Sequence, residues 1–316
     1  MNDKAARVPI VSQVVTLNSI LVPLDGSRLA EAATSPALAL AQRSGARVTL
    51  IHVLEHEAPE KIHGEPHLSN QADAQKYLDH ISERFTASGV PVETHVHENP
   101  ERDVSGSIVA HAAELNADLV VLAAHGSGGI RGFLFGRVAD QVLRRGSRPV
   151  LLVQVGETAG PAVDFSCATI AVLLNGSAEA ENVLPIAVPV ARAFGAAIHL
   201  IAAVPTMSTL TSDRSPSATL MPSTARAVLD LENDNLNSYL FRVAQELRQE
   251  GFAVTLAVVR GDPAAATVDE AKRVHADLLA FASHGRTGLS GIWSGSIGAR
   301  VLTRFTRPLL IARLPE

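Results

Sequence analysis

Two stretches of this 316-residue chain combine glycines with imidazole and hydroxyl groups at a spacing that suits an anion. One is His125-Gly126-Ser127-Gly128-Gly129. The other is His284-Gly285-Arg286-Thr287-Gly288, which runs on through Gly291 to Gly295-Ser296. Glycines let backbone come close to a ligand and take positive φ, so successive N–H groups can face an anion. A helix opening at Gly295-Ser296 adds free N–H groups, the positive end of its dipole and the Ser296 hydroxyl. A turn followed by a serine cap accounts for either loop alone, but not for its appearing twice. A second recurring feature is a polar residue that closes an apolar run and precedes Gly-Ser: Asp25-Gly26-Ser27 and Asn175-Gly176-Ser177.

Both features belong to an internal repeat. Ile20–Ser27 returns as Ile170–Ser177, 150 residues on. Ala117–Val120 returns as Ala276–Leu279, and Arg148–Leu151 as Arg307–Leu310, both 159 residues on. Constant offsets at each end predict two copies of one domain, 1–157 and 165–316, with a seam near Gly156–Asp164. The nine extra residues of the second copy are expected in Pro205–Ser223, rich in Ser, Thr and Pro, as a lid that orders over a bound ligand. Apolar runs alternating with helical periods predict βαβ units. First-copy strands fall near Ile20–Leu24, Arg47–Val53, Pro91–Val96, Leu119–Ala124 and Val150–Val155, with helices near Leu29–Ser44, Ala72–Ser88, Val104–Asn116 and Arg137–Arg145. Second-copy strands fall near Thr169–Leu174, Ala197–Val204, Ala253–Val259, Leu278–Ala282 and Leu309–Ala312, with helices near Ala178–Phe194, Ala225–Glu250, Ala264–His275 and Ser296–Phe305. The fold class is thus α/β: two doubly wound, five-stranded, parallel-sheet, Rossmann-like domains in tandem. In such sheets ligands bind at the carboxyl ends of the strands where strand order reverses, and both recurring features fall there.

Across nearly their whole length both copies resemble the universal stress protein family. Its nucleotide-binding members carry Gly-x-x-Gly, nine residues, then Gly-Ser/Thr, and an aspartate ending strand one. The second copy reads Ala282-Ser283-His284-Gly285, nine residues, then Gly295-Ser296-Ile297. The first reads Ala123-Ala124-His125-Gly126, nine residues, then Gly136-Arg137, so the phosphate-facing serine is an arginine. At the adenine end, Asp25 keeps the family's carboxylate, whereas Leu174-Asn175 carries an amide. The strand-two backbone that reads adenine in the family falls near Val53 and Ala203. The resemblance implies ATP as ligand, with AMP, ADP and Mg²⁺ as the related species, no catalytic residue and a regulatory role in the stress response. It further implies an unnamed protein partner and a homodimer, or an internal version of the same contact in which Val150–Val155 meets Leu309–Ala312 across a pseudo-two-fold. Because phosphate carries most of the ligand's charge, the second copy, including Arg286 and Gly288, is expected to be the better site. Arg137 would either pair with a phosphate or fill the first pocket.

Other chemistries fit less well. Net charge is −5 and aromatic residues make up 4%, so no basic face or stacking platform for nucleic acid is expected. The single cysteine, Cys167, excludes an intrachain disulfide and a Cys-rich zinc site. No apolar run approaches the roughly 18 residues of a membrane span, and Met1–Asn18 lacks a signal-peptide pattern, so a cytoplasmic location is expected. There is no P-loop and no Gly-x-Ser-x-Gly elbow. His52, His56, His63 and His67 lie among glutamates and could ligate zinc; without tight spacing they read as a solvated loop, and no metal site is expected. Two alternatives stay open: a slow ATPase or phosphotransferase, and an interaction protein with vestigial pockets.

Overall fold

The computed structural model describes residues 16–58, 61–62, 65–125, 137–155, 164–210, 220–283 and 297–313. The first half runs β1 (Ser19–Pro23), α1 (Arg28–Glu31), α2 (Thr34–Ser44), β2 (Arg47–Glu55), β3 (Lys61–Ile62), β4 (Glu65–Pro66), α3 (Gln71–Ala87), β5 (Val92–Glu101), α4 (Val104–Glu114), β6 (Leu119–His125), α5 (Arg137–Arg145) and β7 (Val150–Val155). The second runs β8 (Thr169–Leu173), α6 (Ala178–Glu181), α7 (Leu184–Phe194), β9 (Ala197–Val204), α8 (Pro222–Gln249), β10 (Val254–Arg260), α9 (Pro263–Arg273), β11 (Leu278–Ser283), α10 (Ile297–Arg304) and β12 (Leu309–Arg313). Strands such as Leu119–Leu122 are apolar on consecutive residues because helices cover both faces of the sheet, and all four side chains are buried.

Each half is parallel, in the orders β5-β2-β1-β6-β7 and β10-β9-β8-β11-β12. The halves join edge to edge into one ten-stranded sheet through the antiparallel pair β7·β12, with Leu152 opposite Leu309, Leu151 opposite Leu310 and Val150 opposite Ile311. The expected contact between these strands is therefore present within one chain. Arg313 extends it by donating from Nε to Gly146 O (2.8 Å) and from Nη2 to Arg144 O (3.0 Å). On one face Arg43 stacks over the Phe194 ring, 5.1 Å from its centroid, and Phe165 meets Phe194 edge-on.

The repeated motifs have structural reasons. Asp118 Oδ2 accepts from the N–H groups of Asn18 and Ser19 (2.8 and 3.0 Å), and Asp277 Oδ2 from those of Ala168 and Thr169 (2.8 and 3.1 Å). Each aspartate thereby fixes the start of its half's first strand. Three sequence boundaries need correction. The helices expected over Leu29–Ser44 and Ala178–Phe194 are each two segments, which puts Pro36 and Pro185 in a first turn, where a missing N–H costs nothing. The strand expected to stop at Val96 runs to Glu101. Pro222 and Ser223, placed in the insertion, already belong to α8, while residues 211–219 of that insertion lie outside the described residues. Cys167 is buried and its thiol is pushed up to about 12 by desolvation, which makes it inert. Among the described residues no helix is long and apolar enough to cross a membrane.

The seam is built from wholly buried side chains, so Leu152→Ala should destabilise the chain by about 2–5 kcal/mol. Urea unfolding would measure it, and an unchanged midpoint would mean that β7·β12 contributes little.

Candidate functional site

In each half β1 or β8 leads into a tight turn built by its terminal polar residue. Asp25 Oδ1 accepts from Ser27 N (2.9 Å) and Ser27 Oγ (2.6 Å), and the Ser27 hydroxyl in turn caps α1. Gly26 sits at φ +87°, and a Cβ there would come within 2.8 Å of the Leu68 side chain, so no larger residue fits without movement. Gly176 repeats the conformation at φ +84°, and Asn175 Oδ1 accepts from Ser177 N (3.0 Å). The turn therefore engages one side-chain oxygen in both halves. Asp25 keeps a second carboxylate oxygen, whereas Asn175 keeps its NH₂, a donor. The amide noted at Asn175 thus has its one oxygen engaged by the turn.

The first half holds a cavity of about 330 Å³ at the carboxyl ends of β1 and β2. Three residues singled out in the sequence, Asp25, Val53 and Arg137, line it together. Glu55, one of the glutamates among the weighed histidines, also lines it, as do Arg102 and Asp103, which were not legible as site residues because their segment reads only as a loop before a helix. His52 forms part of the wall. Its ring is buried, with Nδ1 2.8 Å from Leu24 O and Nε2 3.1 Å from Leu68 O, which ties the segment after β4 to the end of β1. Arg28 adds a second tie, its N–H donating to Glu65 Oε2 at 2.6 Å. The position matching His52 in the second half is Ala202, so the second half lacks the equivalent side-chain anchor.

The ends of the glycine loops are described although the loops are not. β6 stops at His125 and α5 starts at Arg137; β11 stops at Ser283 and α10 starts at Ile297. That is the strand–loop–helix setting expected of an anion loop. Gly126, Gly136, His284, Gly285, Arg286, Gly288, Gly295 and Ser296 themselves lie outside the described residues. Leu174, Asn175, Ala203, Ala282 and Ser283 stand at the carboxyl ends of β8, β9 and β11, with Leu174 buried, Asn175 exposed and the other three half-buried. Of the four sequence-weighed histidines, His52 is structural, His56 is exposed, His67 lines the cavity and His63 lies outside the described residues.

Equivalent aspartates clamp the helix after each loop, but from different turns: Arg145 is the last residue of α5, whereas Arg300 lies in the first turn of α10. Arg145 of α5 bridges both oxygens of Asp103 (2.8 and 2.6 Å), the residue that caps α4 through Gly106 N. Arg300 of α10 pairs with Asp262, which caps α9 through Ala265 N. In both aspartates the arginine holds the carboxyl below its usual range, helped by the cap. The pairs tie α5 to the cap of α4 through its last residue and α10 to the cap of α9 through its first turn.

The universal stress protein family model matches this chain twice, over residues 16–154 and 168–313. The chain belongs to the universal stress protein family. A Staphylococcus aureus (strain USA300) protein named as a universal stress protein is 28% identical over 148 residues, covering 46% of this chain and 88% of its own length. The crystal structure of a universal stress protein from Archaeoglobus fulgidus DSM 4304 matches with TM-score 0.63 at 18% identity, over 95% of this chain and 99% of that one. A universal stress protein structure from Pseudomonas aeruginosa UCBPP-PA14 matches with TM-score 0.63 at 16% identity, over 96% and 95%. At such identities these likenesses speak for the tandem universal stress protein fold alone.

Asp262→Asn keeps a capping oxygen and removes the negative charge that pairs with Arg300. A carboxyl whose folded pKa lies below its ordinary 3.8 adds stability above that value and loses it as pH falls through the folded value. The variant should therefore lose about 0.2–1 kcal/mol at neutral pH. Urea titrations across pH should show the gap to the parent closing below 3.8; a gap independent of pH would contradict the clamp.

Proposed function

We propose that this chain is an adenine-nucleotide-binding regulator of the stress response, with ATP as its ligand and a cytoplasmic site of action. The observation that carries the reading is convergence at the point where strand order reverses. In each half strands one and four are parallel neighbours, so both stop at the carboxyl end of the sheet, and in the first half Asp25, Val53 and Arg137 line one cavity. Its volume of about 330 Å³ falls in the range of small-molecule sites, roughly 300–1,000 Å³. Family membership supports the same reading, as do the absence of a P-loop and of a nucleophile elbow from the sequence, which speak against a built-in catalyst.

The two halves divide the ligand's needs differently. The second half keeps Gly285, Gly295 and Ser296 for phosphate, with Arg286 beside them, and AMP, ADP or Mg²⁺-bound ATP would use the same donors. Domain 1 (1–157) keeps the Asp25 carboxylate but brings the Arg137 side chain to its cavity. Charge-assisted hydrogen bonds to phosphate are worth about 1.5–3 kcal/mol each, more than a single polar contact at adenine. Domain 2 (165–316) is therefore the stronger triphosphate site, and domain 1 takes a smaller anion or a weaker nucleotide. Arg137 beside the cavity also favours the second reading for domain 1 alone, a pocket filled by its own chain.

Titration calorimetry with ATP on the full chain tests the assignment. Ser296→Arg should weaken ATP at least tenfold, Arg137→Ser should strengthen the first site, and Asp25→Ala should leave the tighter site unchanged. Unchanged affinity in Ser296→Arg, with binding lost in Asp25→Ala, would reverse the halves.

A further inference from the structure

A separate cluster lies on the outer edge of the sheet. β5 is an edge strand, and its alternation puts His95 and His97 on one face, where α4 brings up His111. One ring nitrogen from each of the three imidazoles lies within 4.8 Å of the others, the only such group of three found among the described residues. His95 Nε2 and His111 Nε2 are 2.9 Å apart, and the His97 ring stands edge-on to His111 at 5.1 Å between centroids. We propose that His95, His97 and His111 form a binding site for a divalent first-row transition ion, zinc being the best match to three imidazoles.

Outer contacts already orient two of the rings. His111 Nδ1 lies 2.9 Å from Ser107 O, a carbonyl that can only accept, so Nδ1 carries the proton and Nε2 presents its lone pair. A Glu101 oxygen lies 3.2 Å from His97 Nε2. Backbone carbonyls and carboxylates in these positions fix the ring and tautomer of zinc-bound histidines. Around a zinc ion with bonds of about 2.0–2.1 Å, tetrahedral nitrogens stand roughly 3.3 Å apart, a separation that these rings reach by small side-chain rotations. The site opens into a cavity of about 510 Å³ with Glu98 and Glu114 on its walls, which leaves a fourth position to water or a carboxylate.

The second half supplies an internal comparison. Its strand register places Ala257 where His95 stands and Val259 where His97 stands, and the eighth residue after the helix cap is Glu270 instead of His111. There Glu270 pairs with Arg273 (2.7 Å) and shares a hydrogen bond with the buried His199 Nε2 (2.9 Å). The scaffold thus holds together without imidazoles at these positions. Packing alone does not call for three of them on adjoining elements in the first half.

The test uses the full chain, stripped with a chelator and titrated at neutral pH with Zn²⁺ by calorimetry and with Co²⁺ by visible absorption. One tight equivalent per chain is expected, with the intense ligand-field bands of a four-coordinate Co²⁺. His95→Ala combined with His97→Val installs the second half's residues, and its metal-free circular dichroism should match the parent. That variant should lose the bands and at least roughly 100-fold in zinc affinity, beyond the ~10–100-fold effect of losing an outer contact. His111→Gln should do the same, while His56→Ala combined with His67→Ala should leave the tight site intact. No tight equivalent in the parent, or one that survives in the His95/His97 variant, would overturn the proposal.

Discussion

The antiparallel pairing of β7 with β12 is the contact on which the rest of this molecule depends. A parallel five-stranded half-sheet has two edges, and each edge exposes unpaired N–H and C=O groups. Pairing the last strand of one half with the last strand of the other removes two of the four edges and creates a continuous ten-stranded sheet. It also imposes the pseudo-two-fold, because strands that run parallel within each half meet head to tail at the seam. The remaining edges, β5 and β10, lie at the far ends of the sheet, away from the seam. They are free to diverge, and β5 has acquired charged and imidazole side chains that blunt an edge as well as offering chemistry.

Divergence within a common frame explains how the halves differ at their sites. The turn after strand one is the same in both: a glycine near φ +85°, a serine cap, and a side-chain oxygen that accepts from the serine N–H. What the turn leaves over is not the same, a carboxylate oxygen in one half and an amide NH₂ in the other. The roof differs too, since His52 and Glu65 tie the β2–α3 connection down over Asp25, whereas Ala202 stands opposite in the second half. Beneath the fourth helix the first half gathers three imidazoles, and the second a Glu270–Arg273–His199 network. Each substitution is local, and none touches the seam.

Much of this was legible from the sequence because repetition converts weak signals into strong ones. Asp118 and Asp277 fall at matching positions in two strand-starting motifs, and both turn out to bind N–H groups at the start of their half's first strand. Consecutive apolar residues over Leu119–Leu122 announced a strand covered on both sides. Asp25, Val53 and Arg137 lie more than 100 residues apart at their extremes, yet the strand order brings them to one cavity. The illegible parts depend on tertiary contact. No local pattern tells that Asn175 commits its oxygen to the turn and is left with its NH₂, since that is set by the Ser177 N–H. Arg102 and Asp103 become cavity residues only through the packing of β2 against α4. His95 and His97 show a two-residue spacing that fits a strand face, but His111 joins them from another element, so the spacing that signals a metal site in sequence is missing. The clustered His52–His67 segment, which does have such density, places His52 in a structural role instead.

The central proposal is that the two halves of one continuous sheet bind nucleotide unequally. The most direct test is the stoichiometry of ATP binding to the unmodified chain, followed by calorimetry to saturation. The account predicts two classes of site, one tight equivalent per chain and a second at least tenfold weaker. Two equal equivalents, or no binding at all, would contradict it.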